Sequence, residues 1–340
     1  MKKMTWKAAH FSILVIAMGL GACTHDGSIP TSEPKIKSEE HPDRSLANER
    51  FVKRGNPDRI EVYAPDKSWL ATFTTHSYTV SMHGPKRRFA EASTRSTVES
   101  SVWVRTLAQP FKGEIDEAWL KDALKMNDAG EADILALAFQ YGPGAQPLFD
   151  KQGLQIAGDA SYGPESSEGR RAKGSDVLDY LGENVPTLTQ RSRSIPRAQR
   201  LHSLDCSGYM RMIWGYRNKG VEISKSKTPE VGSSPLLTLL PRTSDEMARK
   251  GPGIVLPVSS DHRDFSRLQV GDILFFDAHS DDGQTIDHVA LFLGKDSDGH
   301  YRFVSSRKSS DGPTMGDTQG PSILDGEGHF ARAFRSARRF

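Results

Sequence analysis

Asp205-Cys206-Ser207-Gly208-Tyr209-Met210-Arg211-Met212-Ile213-Trp214-Gly215-Tyr216 reads as a helix. Met210, Ile213 and Trp214 fall at a spacing that gathers them on one side, and Gly220 lies beyond the end. Downstream, Asp272-Ile-Leu-Phe-Phe-Asp277, His288-Val-Ala-Leu-Phe-Leu293 and Tyr301-Arg-Phe-Val-Ser305 are apolar or alternating runs that predict strands. The turn-rich Gly294-Lys-Asp-Ser-Asp-Gly-His300 links the last two as a hairpin. A helix followed by an antiparallel meander predicts an α+β domain.

Upstream, a first group of strand-like runs covers Arg59–Tyr63, Trp69–Thr75, Tyr78–Met82 and Ser101–Leu107. Two helical patterns follow, Glu114–Met126 and Glu131–Tyr141, the second stopped by Gly142-Pro143. Residues 142–204 are loop-rich, with a short helix expected at Ser175–Leu181. The expected organisation is 1–22 leader, 23–46 tether, 47–127 strand-rich region and 128–340 main domain. The 47–127 region reads equally as an accessory binding module or as packing support.

The chain has 340 residues, 36% hydrophobic and 26% charged, which fits a loop-rich globular protein and excludes a coiled coil, a collagen or a multi-span membrane protein. Two cysteines, Cys23 and Cys206, exclude a disulfide framework. The formal charge is +2; without Lys2, Lys3 and Lys7 the basic count falls from 45 to 42 against 43 acidic residues. No basic excess is left to imply a nucleic-acid partner.

Lys2, Lys3 and Lys7 precede a ten-residue apolar run, Phe11–Leu20, too short to span a bilayer, which needs about 20 residues. This is the pattern of an export signal. Leu20-Gly21-Ala22-Cys23 resembles the bacterial lipobox, which implies lipidation of the Cys23 thiol and cleavage before it. The polar stretch after it, Thr24 to about Leu46, reads as a tether. The implied location is the outer face of a bacterial membrane, the outer one where the host has two, because Thr24 rather than Asp follows the cysteine. Cys206 is then the remaining free thiol.

Cys206 falls in the first turn of the predicted helix, where unpaired N–H groups and the positive dipole end favour a thiolate and can hold an oxyanion. Ser207 and Gly208 beside it are small enough to admit substrate, though Ser207 also suits a cap and Gly208 a close helix contact. Of the 11 histidines, His288 is the best-placed base: a titratable residue opening a buried strand belongs at a cleft.

Three blocks, Asp205-Cys-Ser-Gly-Tyr209, Gly271-Asp-Ile-Leu-Phe-Phe276 and Asp287-His-Val-Ala-Leu-Phe-Leu-Gly294, resemble the NlpC/P60 cysteine peptidases in composition and order. Ala160-Ser-Tyr-Gly163 is similar to a family stretch upstream of the nucleophile, without its tryptophan. The resemblance implies a papain-like domain, Cys206 as nucleophile, His288 as base, and hydrolysis of peptidoglycan stem peptides, in many members at the γ-D-glutamyl–diamino acid bond. No cofactor or metal is implied. The rivals are an amidase or transacylase of the same fold and a non-catalytic wall-binding lipoprotein.

The third family position, a polar residue that orients the histidine, falls at Ser305. Ser306 and Arg307 adjoin it, a one-residue change of register swaps which side chain points inward, and Asp277 is a further candidate. The resemblance also implies that Asp205 and Ser207 bind a free amino group of the substrate; the alternative for Asp205 is a helix N-cap. The polar Ser305–Asp317 stretch reads as a groove wall or a plain surface loop.

Overall fold

The computed structural model describes residues 50–184, 195–221, 234–258, 264–279 and 283–340. The leader, Cys23 and the 23–46 tether therefore lie outside the described residues.

Strands β1 (Arg50–Arg54), β2 (Arg59–Tyr63), β3 (Trp69–Thr74), β4 (Thr79–Phe89) and β5 (Val98–Thr106) form an antiparallel sheet in sequence order. The edge strand β1 carries little apolar content and is mostly exposed, so it leaves no alternating signal. The inward residues Val62, Phe73, Val80 and Met82 pack with Trp119, Leu120, Ala123 and Leu124 of the helix Glu117–Asp128. Asp116 starts that helix by accepting from the Ala118 and Trp119 N–H groups at 2.9 and 3.1 Å. The expected Glu131–Tyr141 helix shortens to Ile134–Ala138, capped by Asp133, and tightens into a 3₁₀ turn at Phe139–Tyr141.

A small ribbon, β6 (Leu148–Phe149) and β7 (Gln155–Ala157), and the helix Val177–Leu181 follow. The second large sheet contains β8 (Ile254–Val255), β9 (Ile273–Phe276), β10 (His288–Lys295), β11 (Tyr301–Arg307), β12 (Gly312–Thr314) and β13 (Phe334–Arg339). Its order is β12-β11-β10-β9-β13-β8. The three expected strands form its middle, and β13 pairs antiparallel with β9 on the other side from β10. β13 reads as polar in sequence because Arg338 and Arg339 occupy buried positions.

Strand alternation divides the sheet's two faces. Ile273, Phe275, Val289, Leu291 and Val304 pack on the side of Tyr209, Met210 and Ile213. Leu274, Phe276, Ala290, Phe292 and Phe303 pack on the opposite side with Phe330 and Phe334. The helix predicted over Asp205–Tyr216 is α-helical from Cys206 to Met210 and π-helical from Arg211 to Tyr216.

Polar contacts bridge the expected border at 127/128. Arg339 makes a bidentate pair with Asp272 at 2.8 Å for both bonds, and its remaining Nη1 donates to Thr74 Oγ1 at 2.9 Å. The Thr79 N–H and hydroxyl both donate to the Phe340 carbonyl at 2.7 Å. Glu91, between β4 and β5, accepts from the Met315 N–H at 2.8 Å. The described residues from 50 onward belong to one compact unit, in which the strand-rich region contacts the second sheet directly.

Candidate active site

Cys206 is the first residue of its helix, and Asp205 is the N-cap, accepting from the Gly208 N–H at 2.8 Å. Gly208 is where the helix crosses the 175–176 backbone: a Cβ there would lie 2.2 Å from the Ser175 carbonyl oxygen. Its small size serves close packing, which seats the helix start against β10. The Cys206 Sγ donates to the Asp287 carbonyl at 3.8 Å and also meets the Val289 N–H. The sulfur thus lies against the main chain on both sides of His288.

The Asp205 carboxylate is fully engaged inside the protein. Oδ2 accepts from the Gly174 N–H and from Arg242 Nη2, each at 2.8 Å; Oδ1 also accepts from Arg242 Nη1 and the Ser207 hydroxyl. Arg242 Nη1 donates to Ser207 Oγ at 2.7 Å, and Arg242 Nε lies 3.5 Å from Asp176, which pairs with Arg211. Burial pushes the Asp205 carboxyl up, but the Arg242 guanidinium and the two backbone N–H groups outweigh it and hold it below its ordinary value. The group facing both Asp205 and Ser207, the residues expected to receive a substrate ammonium, is here a guanidinium of the chain itself, that of Arg242. Arg242 lies in a stretch with no apolar period, so nothing local in the sequence marks it.

His288 Nε2 lies 3.0 Å from Ser305 Oγ, and Ser305 is completely buried. The neighbouring candidates point elsewhere. Ser306 Oγ donates to the Leu204 carbonyl at 2.6 Å, Arg307 bonds the 316–322 loop, and Asp277 pairs with Arg335 at 3.0 Å. The imidazole shares the face of Ala290 and packs near Phe276 and Phe330, with ring centroids 5.8 and 5.2 Å away. The 305–317 stretch is not a plain surface loop, because β12 and Met315 within it are buried.

The resting charge state differs from the sequence expectation. Burial, with the Asp205 charge adding to it, pushes the Cys206 thiol up to about 12. Burial, reinforced by the Arg307 guanidinium, pushes the His288 imidazole down to about 3. Desolvation outweighs the helix terminus, and the pair rests as neutral thiol and neutral imidazole. A raised thiol pKa withholds the thiolate at neutral pH. Alkylation of Cys206 by iodoacetamide, measured in a Cys23→Ser background, is therefore expected to keep accelerating above pH 9. A plateau reached by pH 7 would overturn this reading.

His288 opens onto a cleft of about 270 Å³ whose walls include Tyr162, Lys173, Asp287, Arg307 and Lys308. Tyr162 comes from the Ala160–Gly163 stretch, and its hydroxyl is raised by burial and then by the neighbouring Cys206 charge. The Phe330 wall and Lys173 carry no motif in the sequence.

The sequence model of the NlpC/P60 family matches residues 192–312, about a third of the chain. The match contains Cys206, His288 and Ser305; Tyr162 and Lys173 precede it. No curated protein matches the chain.

Proposed function

We propose that this protein is a cysteine hydrolase with a papain-like catalytic domain that cleaves peptide bonds in peptidoglycan stem peptides, with Cys206 as nucleophile, His288 as base and Ser305 as the residue that orients it. The carrying observation is the convergence of a helix-terminal thiol, the β10 backbone at His288 and the His288–Ser305 contact. Nε2 is held by Ser305, so Nδ1 is the nitrogen left to take the thiol proton. Sγ then attacks the peptide carbonyl, and backbone N–H groups at the helix start receive the oxyanion. The imidazolium returns its proton to the leaving amine, and water, deprotonated by His288, hydrolyses the thioester.

Because Arg242 fills the Asp205 carboxylate, the enzyme in this reading does not require a free amino terminus on the stem. The γ-D-glutamyl–diamino acid bond is the first to test. Digesting purified peptidoglycan and weighing the products identifies the bond. Absence of any new product would refute the hydrolase reading.

The neutral resting pair also suits a second reading, a wall-binding lipoprotein that keeps the fold without turnover. Binding to peptidoglycan with no products would favour it.

The proposed site of action is the envelope, with Cys23 lipidated. Cys23→Ser is expected to abolish partition into detergent and the lipid mass increment; an unchanged detergent fraction would overturn the anchor.

A further inference from the structure

We infer that Lys173 and Lys308 form an anion subsite beside Cys206 that receives a carboxylate of the substrate. The inference rests on the proposed hydrolase for the identity of the ligand, and on the charge pattern of the cleft for the site itself.

Lys173, Arg307 and Lys308 line the cleft, and Asp287 is the one carboxylate among its described lining residues. The Asp287 charge is already used: Oδ1 accepts from the Ala278 N–H at 2.9 Å and Oδ2 lies 2.6 Å from His279 Nδ1. Asp311, three residues beyond Lys308, pairs with Arg171 at 2.6 Å. Arg307 donates only to neutral acceptors, the Gly316 and Gly320 carbonyls and the Ser322 hydroxyl, and its Nε is buried without a partner. Among the described residues, the cleft therefore holds three cations and no unspent anion.

The two lysines are close enough to act on one another. Partial burial and then the Lys173 charge lower the Lys308 ammonium, while the Cys206 and Asp287 charges act in the opposite direction. Lys308 thus lies within electrostatic reach of both the second ammonium and Cys206. Like charges left together at a cleft mouth repel, and a bound carboxylate relieves that repulsion. Both side chains are exposed, so they can close on a ligand without unfolding anything. A substrate with a free carboxylate next to the scissile bond fits this charge; its amide does not.

The test reads the site with and without peptide. In a Cys23→Ser background, the ratio of Cys206 alkylation rates by iodoacetate and iodoacetamide is measured at low salt. It should fall about three- to tenfold in Lys173→Met/Lys308→Met, as expected for local charge attraction. Lys173→Arg/Lys308→Arg should retain the ratio, and 0.5 M salt should collapse it in the wild type. An equal ratio in wild type and the Met pair overturns the anion subsite. In parallel, kcat/KM is compared for a carboxylate stem peptide and its amide. Cleavage of both with equal efficiency overturns the substrate assignment. A charge-sensitive alkylation ratio with neither peptide cleaved leaves the anion subsite standing and removes the hydrolase reading instead.

Discussion

Cys206→Ala is expected to lower release of soluble stem peptides from peptidoglycan by at least about a thousandfold, to background, while thermal unfolding changes little. The substitution removes one buried sulfur from a site where Asp205 still caps the helix and Gly208 still packs on the 175–176 backbone. The helix start therefore has no reason to move. His288→Ala should cost nearly as much, and the double variant no more than either single one, because in the proposed mechanism the thiol and imidazole act as one unit. Wild-type turnover in Cys206→Ala, with products of the same mass, would sink the mechanism.

Arg242→Met should destabilise the protein by about 3 kcal/mol, because it strands two buried carboxylates, Asp205 and Asp176, that the guanidinium faces. Asp176 keeps Arg211, so Asp205 bears most of the loss. The sign with pH follows from the Asp205 carboxyl. In the wild type it is held below its ordinary value, so its contribution is present above about pH 4 and is lost as pH falls through the folded pKa. In the variant, burial without the guanidinium drives the carboxyl up, and protonation relieves the stranded charge. The stability gap between the two proteins should therefore begin to narrow above about pH 4, as pH falls through the variant's raised carboxyl pKa, and go on narrowing down to the wild type's lowered one. Adding Asp205→Asn to Arg242→Met should recover part of the loss, a coupling that a double-mutant cycle measures. A gap independent of pH, with no recovery in the double variant, would show that Arg242 contributes only packing.

The chemistry was legible where residue type and spacing coincide. A cysteine opening an amphipathic segment and a histidine opening an apolar strand are local signals, and both lie in the described site. The middle strands of the second sheet were legible for the same reason, since burial on both faces writes continuous apolar runs into β9 and β10. The edge strand β1 and the arginine-rich β13 escaped notice because solvent exposure in one case and buried ion pairing in the other break that pattern.

Other features arise only when distant segments meet. The choice of Ser305 over Ser306 depends on the side to which β11 turns each hydroxyl, one toward His288 and the other toward Leu204. Asp205 was readable as a cap, but its partner comes from 37 residues further along the chain. The sequence order of residues therefore determined the candidate thiol and imidazole and the helix and strand that carry them. Tertiary packing alone decided that the thiol and imidazole rest uncharged, that Arg242 fills the Asp205 carboxylate, and that two lysines from separate loops share one cleft. Desolvation and charge pairing depend on distance in space, which separation along the chain does not encode.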